Sequence, residues 1–367
     1  MDSLADYVQW MGDYPISMTG FQDADALILC SLSYFDFSPV FAVPSENHSL
    51  RDCLASAGEL KVMITGGDDG YSELLRLAAA SKRYGELGIS DYCDISRQDP
   101  PLQFSALCFH GDGFSFLAYR GTDNSLSGWK EDFNISFTRT EAQWLALRYA
   151  EECVAPGRDW YICGHSKGAN LALYAACLLS GEKRDAIRHL YLFDGPGFCP
   201  EVMDLKLIER VNAKTTQILP FFCIVGKLFA PKITDTRIIR SSAYALMQHG
   251  IITWGIDHGK LALAENHDPT SLILSEAMDA WITNIRQEDR KAFIDEFFDA
   301  LSANGAETLD DIQAGGRESL EAIYRRLIES SALTRRTLAD LPRYAFRAQL
   351  DDLRRRLGAE LENRLRK

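Results

Sequence analysis

The stretch 159–180, DWYICGHSKGANLALYAACLLS, constrains what this chain can fold into more than any other. A run with strand character at 160–163 passes directly into Gly164-His165-Ser166-Lys167-Gly168. A small-residue apolar helical run, 169–179, follows at once. Strand, turn and helix in so few residues require a sharp reversal. Glycines on both sides of Ser166 permit it and hold the serine in a strained conformation, with Oγ exposed at the sheet's edge. The new helix starts beneath that hydroxyl, so its N–H groups and dipole face any negative charge that develops there. The plainer alternative is an ordinary strand-to-helix turn carrying an exposed serine. The strand–elbow–helix context favours a nucleophile at Ser166.

A chain of 367 residues, 46% of them hydrophobic, can bury a large core as one decorated domain or as two. Its net charge of -13 argues against nucleic acid as a partner. Nine cysteines are scattered with no CxxC pair and no regular framework. That usage, with a start (MDSLADYVQW) lacking a basic and then an apolar region, predicts reduced thiols in a cytoplasmic protein. No stretch approaches the roughly 20 apolar residues of a membrane span. Neither a metal nor a cofactor is expected.

Along the chain, 23–30 predicts a short helix with one packed face, leading to the aromatic run at 34–37. The pattern from about 45 to 88 is mainly helical, clearest at 71–84. Gly66-Gly67-Asp68-Asp69-Gly70 reads as a turn that caps the next helix, because it offers too few oxygen ligands for a cation. The runs 104–109 and 114–120, separated by His110-Gly111-Asp112-Gly113, predict a β-hairpin with His110 at the surface. Residues 129–133 predict a short helix or ordered loop, and 140–155 a helix ending at Pro156-Gly157. Further strands are expected at 187–193, 215–225 and 237–241. Strands and helices alternating at this spacing predict an α/β fold, a largely parallel sheet with helices on both faces.

YRGTD, GHSKGANLA, FDGPGF and MQHGIITW, in that order, resemble a bacterial family of lipase-like proteins of unknown function. More distantly they resemble the class 3 lipases of the α/β-hydrolase superfamily. The likeness spans about 20–290 and includes DALILCSLSYFDF. Ala169 stands where the relatives usually carry a second glycine after the elbow. The resemblance implies an α/β-hydrolase fold, to which the chain's own pattern adds an N-terminal helical segment and, from about residue 287, a C-terminal helical tail.

A serine hydroxyl needs a base, and the fold's chain order, Ser then Asp then His, places it after the last strand. His249, His258 and His267 qualify. His249 leads, because its spacing to Trp254 resembles the relatives. Its Nε2 is expected about 2.6–3.2 Å from Ser166 Oγ, or somewhat farther without substrate. His165 is expected to pack beneath the serine; His48 and His189 are read as structural. Class 3 lipases carry the acid after the strand that here begins at Thr215, yet 215–230 contains no Asp or Glu. Asp194, at the end of the preceding strand, is the substitute, as in the pancreatic-type lipases that this strand end resembles; Asp235 and Asp257 come next. A purely structural Asp194, capping its glycine turn, is the alternative. The oxyanion donors implied are the N–H groups of Lys167 and Thr122. The Lys167 side chain is expected in solvent, and Arg120 is expected to pair with Asp123 or Asp132.

These residues predict a serine hydrolase acting on carboxylic esters, acyl lipids among them. A thioesterase or peptidase would use the same machinery, and a non-catalytic binding or scaffold protein would keep only the fold. Residues 218–230 are apolar enough to wall an acyl pocket or to be core. The expected division is a hydrolase domain over 1–290 and a helical extension over 291–367. In that extension Leu350, Leu353, Leu357, Leu361 and Leu365 form a narrow stripe on a basic segment. The stripe is suited to docking on a helix or, less simply, to peripheral contact with anionic lipid.

Overall fold

The computed structural model describes residues 1–41, 48–57, 60–64, 70–97, 99, 102–122, 126–336 and 339. Burial along the strands explains the architecture. In β2 (Leu102–His110) and β3 (Phe114–Tyr119) every residue but His110 is buried, as happens when both faces of a sheet are covered. Alternate side chains point to opposite faces. Leu107, Phe109, Phe116 and Ala118 join one core, and Ala106, Cys108, Leu117 and Tyr119 the other. Helices Leu4–Met11, Asp23–Leu32 and Tyr71–Ala80 cover the first face. Helices Glu141–Cys153 and Lys167–Leu178 cover the second.

The eight-stranded sheet has the order β1-β2-β3-β4-β5-β6-β7-β10. Its other members are β1 (Gly88–Arg97), β4 (Asp159–His165), β5 (Ile187–Phe193), β6 (Thr215–Pro220), β7 (Asp235–Ile239) and β10 (Leu263–Ala264). Strands β3 to β7 are parallel. The hairpin partners β1 and β2, and β10 at the far edge, run antiparallel. A separate ribbon pairs β8 (Ile256–Asp257) with β9 (Lys260–Leu261). This is an α/β architecture, a mostly parallel sheet between two helical layers, and it aligns the C-terminal ends of β3 to β7 along one rim.

Several expectations are corrected. Helix Asp23–Leu32 has no solvent face: every residue from Ala24 to Leu32 is buried. Strand β1 lies where no strand was expected, because its sequence GISDYCDISR is polar and it buries only Ile89 fully, as an edge strand can. The 215–225 run stops being strand at Pro220 and turns back over the sheet end. His110 is the half-buried last residue of β2, its ring bonded to Ser90 Oγ (2.6 Å) and Ser115 Oγ (2.8 Å).

The N-terminal helices are fastened to the body by a buried ion pair. Asp25 and Arg83 are both fully buried and bonded through two contacts, with Arg83 Nε 2.6 Å from Asp25 Oδ1. Asp25 also accepts from the Tyr84 hydroxyl and, at 2.7 Å, from the Gln22 N–H. Arg83 donates further to the Tyr14 carbonyl and Thr19 Oγ1, each at 2.8 Å.

Toward the C-terminus, helix Gln287–Leu301 packs Phe293, Ile294 and Phe298 against Phe137 and Cys199. Asp295 on it pairs with Lys130 (2.8 Å) of helix Leu126–Ile135. Helix Leu309–Glu329 follows. The leucine stripe 350–365 and the glycine turn 66–69 lie outside the described residues.

Candidate active site

Strand β4 lies between β3 and β5, with Tyr119 paired to Gly164 and His165 to Phe193. The chain then reverses at Ser166, which sits at φ 56°, ψ -126°, outside the regions a side chain normally tolerates. Its N–H donates to the Phe193 carbonyl (2.9 Å), which holds the strain in place. The flanking glycines are needed for space. A Cβ on Gly164 would lie 2.1 Å from the Gly168 carbonyl, and one on Gly168 would lie 2.1 Å from the Tyr119 carbonyl. Gly121 completes the packing: a Cβ there would come within 3.2 Å of Ser166 Cβ, so the Arg120-Gly121-Thr122 strand end runs against the elbow.

Asp194 lies at the end of β5, buried and at φ 43°. Its Oδ2 is 2.6 Å from His249 Nδ1. Its Oδ1 accepts from Cys223 Sγ (3.1 Å) and from the Gly226 N–H (3.0 Å). The segment after β6 therefore wraps the carboxylate, and a side chain at 226 would collide with it. Burial pushes the Asp194 carboxyl up, but His249, by charge and hydrogen bond, and the Cys223 thiol outweigh it and hold the group below its ordinary value. His249 ends a short helical turn, Ala245–His249, and its side chain is 22% exposed, enough to meet a ligand. Among the described residues no hydrogen bond joins Ser166 Oγ to His249 Nε2. Such bonds commonly tighten only when substrate is bound.

His165 lies behind this pair. Its ring centroid is 4.6 Å from that of His249, its Nε2 is 2.8 Å from the His249 carbonyl, and its Nδ1 is 2.7 Å from the Tyr34 hydroxyl. A carbonyl only accepts, so Nε2 carries the proton and Nδ1 accepts from Tyr34. The early Tyr34 thus reaches the elbow through His165. Burial, and then the nearby His249, lower the His165 pKa from 6.5 to about 3. The unfolded chain therefore takes up a proton below pH 6.5 that the folded chain refuses. Stability from this group is complete above pH 6.5 and is lost as pH falls toward 3. Between pH 6.5 and 4.5, unfolding free energy should fall by about 1 kcal/mol per pH unit more steeply in the native protein than in His165→Gln. His110, His189 and His267, also lowered by burial, act with the same sign in both proteins and cancel. Equal slopes in urea titrations would show that His165 is protonated in the fold.

The remaining candidates lie elsewhere. Asp235 binds Arg237 and Thr216 Oγ1. Asp257 and His258 are exposed and lie 3.7 Å apart. His267 Nδ1 bonds the Pro220 carbonyl (3.1 Å), and His189 Nε2 meets Thr216 Oγ1 (2.8 Å). The His48 carbonyl accepts from the Ile89 N–H at 2.6 Å. Two expectations fail. The Lys167 side chain is buried and its Nζ pairs with Glu131 Oε2 (3.0 Å), because the elbow helix packs against Leu126–Ile135. Arg120 is buried and reaches Asp94 of β1 (2.9 Å), far from it in sequence; Asp123 lies outside the described residues. Lys167 opens the elbow helix and Thr122 follows Gly121, the two positions implied for oxyanion donors.

A cleft of about 580 Å³ borders the His249 loop, lined by Phe221, Arg240, Ser241 and Gln248 among others. It opens past the C-terminal ends of β6 and β7, and its volume suits a small organic ligand. Phe198 and Phe229 line a second, smaller cavity of about 290 Å³. Among described residues, no helix is long and apolar enough to cross a membrane.

Comparison with known proteins adds three findings. No curated protein matches the chain. Among solved structures, M37 lipase is similar over 56% of this chain and 69% of its own, with 15% sequence identity and a TM-score of 0.33, too loose to equate residues. The family model for Mbeg1-like proteins matches residues 78–299, which include the elbow, Asp194 and His249, and the chain belongs to the Mbeg1-like family.

Proposed function

We propose that this protein is a serine hydrolase that cleaves carboxylic esters, acyl lipids among them, through an acyl-enzyme. The observation that carries this reading is the 2.6 Å contact between His249 Nδ1 and the buried Asp194 carboxylate, beside a serine in a strained elbow. A proton held on Nδ1 leaves Nε2 as the base. Ser166 Oγ then attacks the ester carbonyl as Nε2 takes its proton, and Asp194 stabilises the imidazolium. The N–H groups of Lys167 and Thr122 are assigned to the oxyanion, where one such donor contributes about 2.7–4 kcal/mol. Collapse returns the proton to the leaving alcohol. Water then attacks the acyl-serine by the same route in reverse. A cytoplasmic location goes with the nine free thiols.

One observation favours a second reading, a lipase-like binding protein without turnover: Ser166 Oγ is not bonded to His249. The experiment that separates them is labelling with an active-site-directed fluorophosphonate and mapping of the adduct. An activated serine gives one adduct, on Ser166, formed in minutes at micromolar probe. Protein that stays unlabelled while fully folded would make the binding reading the better one.

A further inference from the structure

On the far side of β2 from Tyr34, three donors from separate parts of the chain converge. Cys108 Sγ on β2, Cys153 Sγ on helix Glu141–Cys153 and an Asp91 carboxylate oxygen on β1 all lie within 4.8 Å of one another. Asp91 reaches the group because β1 bulges there: Ser90 pairs with Cys108 and Cys93 with Ala106, so Asp91 and Tyr92 face the single residue Leu107. Asp91 takes φ 56° in that bulge. A bulge re-aims a side chain, and a non-glycine residue at positive φ costs energy that the surroundings must hold in place. The Tyr149 hydroxyl does so, donating to the Asp91 carbonyl (2.7 Å) while lying 3.7 Å from Cys108 Sγ.

We propose that Cys108, Cys153 and Asp91 form a binding site for a divalent metal ion of zinc type. Two thiolates and a carboxylate suit this borderline-soft ion. Zinc–sulfur bonds of about 2.3 Å put two tetrahedral ligands roughly 3.8 Å apart, so closing the cluster takes a contraction of at most about 1 Å. Cys153 is the last residue of its helix, whose negative dipole end therefore faces the ion. Cys108 is fully buried, whereas Asp91 is exposed, which gives an entry path and room for water as fourth ligand. The bound ion ties edge strand β1 to β2 and to the helix behind the sheet. Asp94, three residues beyond Asp91 on the same strand, is the partner of Arg120 at the head of the Gly121-Thr122 turn. Clamping β1 thus steadies the strand that the turn leans on.

The test uses the full chain, reduced and stripped of metal, titrated with Co²⁺ alone and then with Zn²⁺. One equivalent of cobalt should give thiolate charge-transfer absorption and the visible bands of a tetrahedral site, and zinc should displace it. Cys153→Ser should lose the charge-transfer intensity in large part. Asp91→Asn, at an exposed position, should weaken cobalt binding at least about tenfold while the protein stays folded. Cys177→Ser, on the elbow helix, should leave the spectrum unchanged. Absence of charge transfer at saturating cobalt, or a spectrum unaltered in both Cys153→Ser and Asp91→Asn, overturns the proposal. So does a Cys108–Cys153 disulfide in protein that, once reduced, binds no cobalt.

Discussion

Ser166→Ala and His249→Ala are each expected to lower kcat toward a p-nitrophenyl ester by about a millionfold, and Asp194→Asn by about ten-thousandfold. The double variant Ser166→Ala/His249→Ala should lose no more than either single change, because the three side chains act as one unit. KM should move little, since none of them binds the ester before the reaction begins. The asparagine variant is the most informative of the series. Asp194 Oδ1 accepts from the Gly226 N–H and from Cys223, so an amide at 194 keeps its oxygen there and turns its NH₂ toward His249 Nδ1. His249 Nδ1 must then accept, which moves the ring proton to Nε2. In that tautomer Nε2 cannot take a proton from serine. Fluorophosphonate labelling should slow in parallel with turnover, while the unfolding midpoint changes far less than for a loss of fold. Turnover within tenfold of the native rate in Asp194→Asn would remove Asp194 from the mechanism, and the same result in Ser166→Ala would remove the reaction class.

The elbow was legible because it is local. Strand, two glycines, serine and helix lie within one continuous stretch, and each residue type answers a steric need that the clashes at Gly164 and Gly168 make explicit. The hairpin of β2 and β3 was legible for the same reason, two apolar, aromatic-rich runs around a short glycine turn. Partnerships across the chain were not. Lys167 read as a solvated elbow residue because nothing nearby in sequence announces Glu131, which a separate helix brings under it. Arg120 was matched to acids close in sequence, but the sheet supplies Asp94 from β1, a strand whose polar face hides it from any hydrophobic pattern. The three donors at Asp91, Cys108 and Cys153 show the limit most clearly. They come from two strands and a helix, so no ligand spacing exists to be read. What the sequence left open about 218–230 has a local answer in part: its first residues are buried strand, and 223–226 shape the pocket of Asp194.

Asp25→Ala is expected to destabilise the protein by about 3–5 kcal/mol, a large share of the 5–15 kcal/mol that typically separates folded from unfolded chains. The reason is what it leaves behind. Arg83 is fully buried; burial alone would lower its pKa, and the hydrogen bonds and charge of Asp25 more than reverse that. Without the carboxylate, the guanidinium keeps its bonds to Tyr14 and Thr19 but loses its only counter-charge among the described residues. The Gln22 N–H and the Tyr84 hydroxyl lose their acceptor as well. Replacing the pair together, as Asp25→Leu/Arg83→Met, removes both charges and should cost clearly less than the two single losses added, because an apolar pair needs no solvation. Urea unfolding of the native protein, Asp25→Leu, Arg83→Met and the double variant measures this as a coupling energy. The effect should also reach the elbow through stability alone. Asp25 and Tyr34 lie on one buried helix and the turn that ends it, and the Tyr34 hydroxyl bonds His165 Nδ1. Folded Asp25→Ala protein at low temperature should therefore label at Ser166 at nearly the native rate, then lose that reactivity at a lower temperature than the native protein. A loss below about 1 kcal/mol in Asp25→Ala would mean that Arg83 finds water, and that the N-terminal helices are held by packing alone.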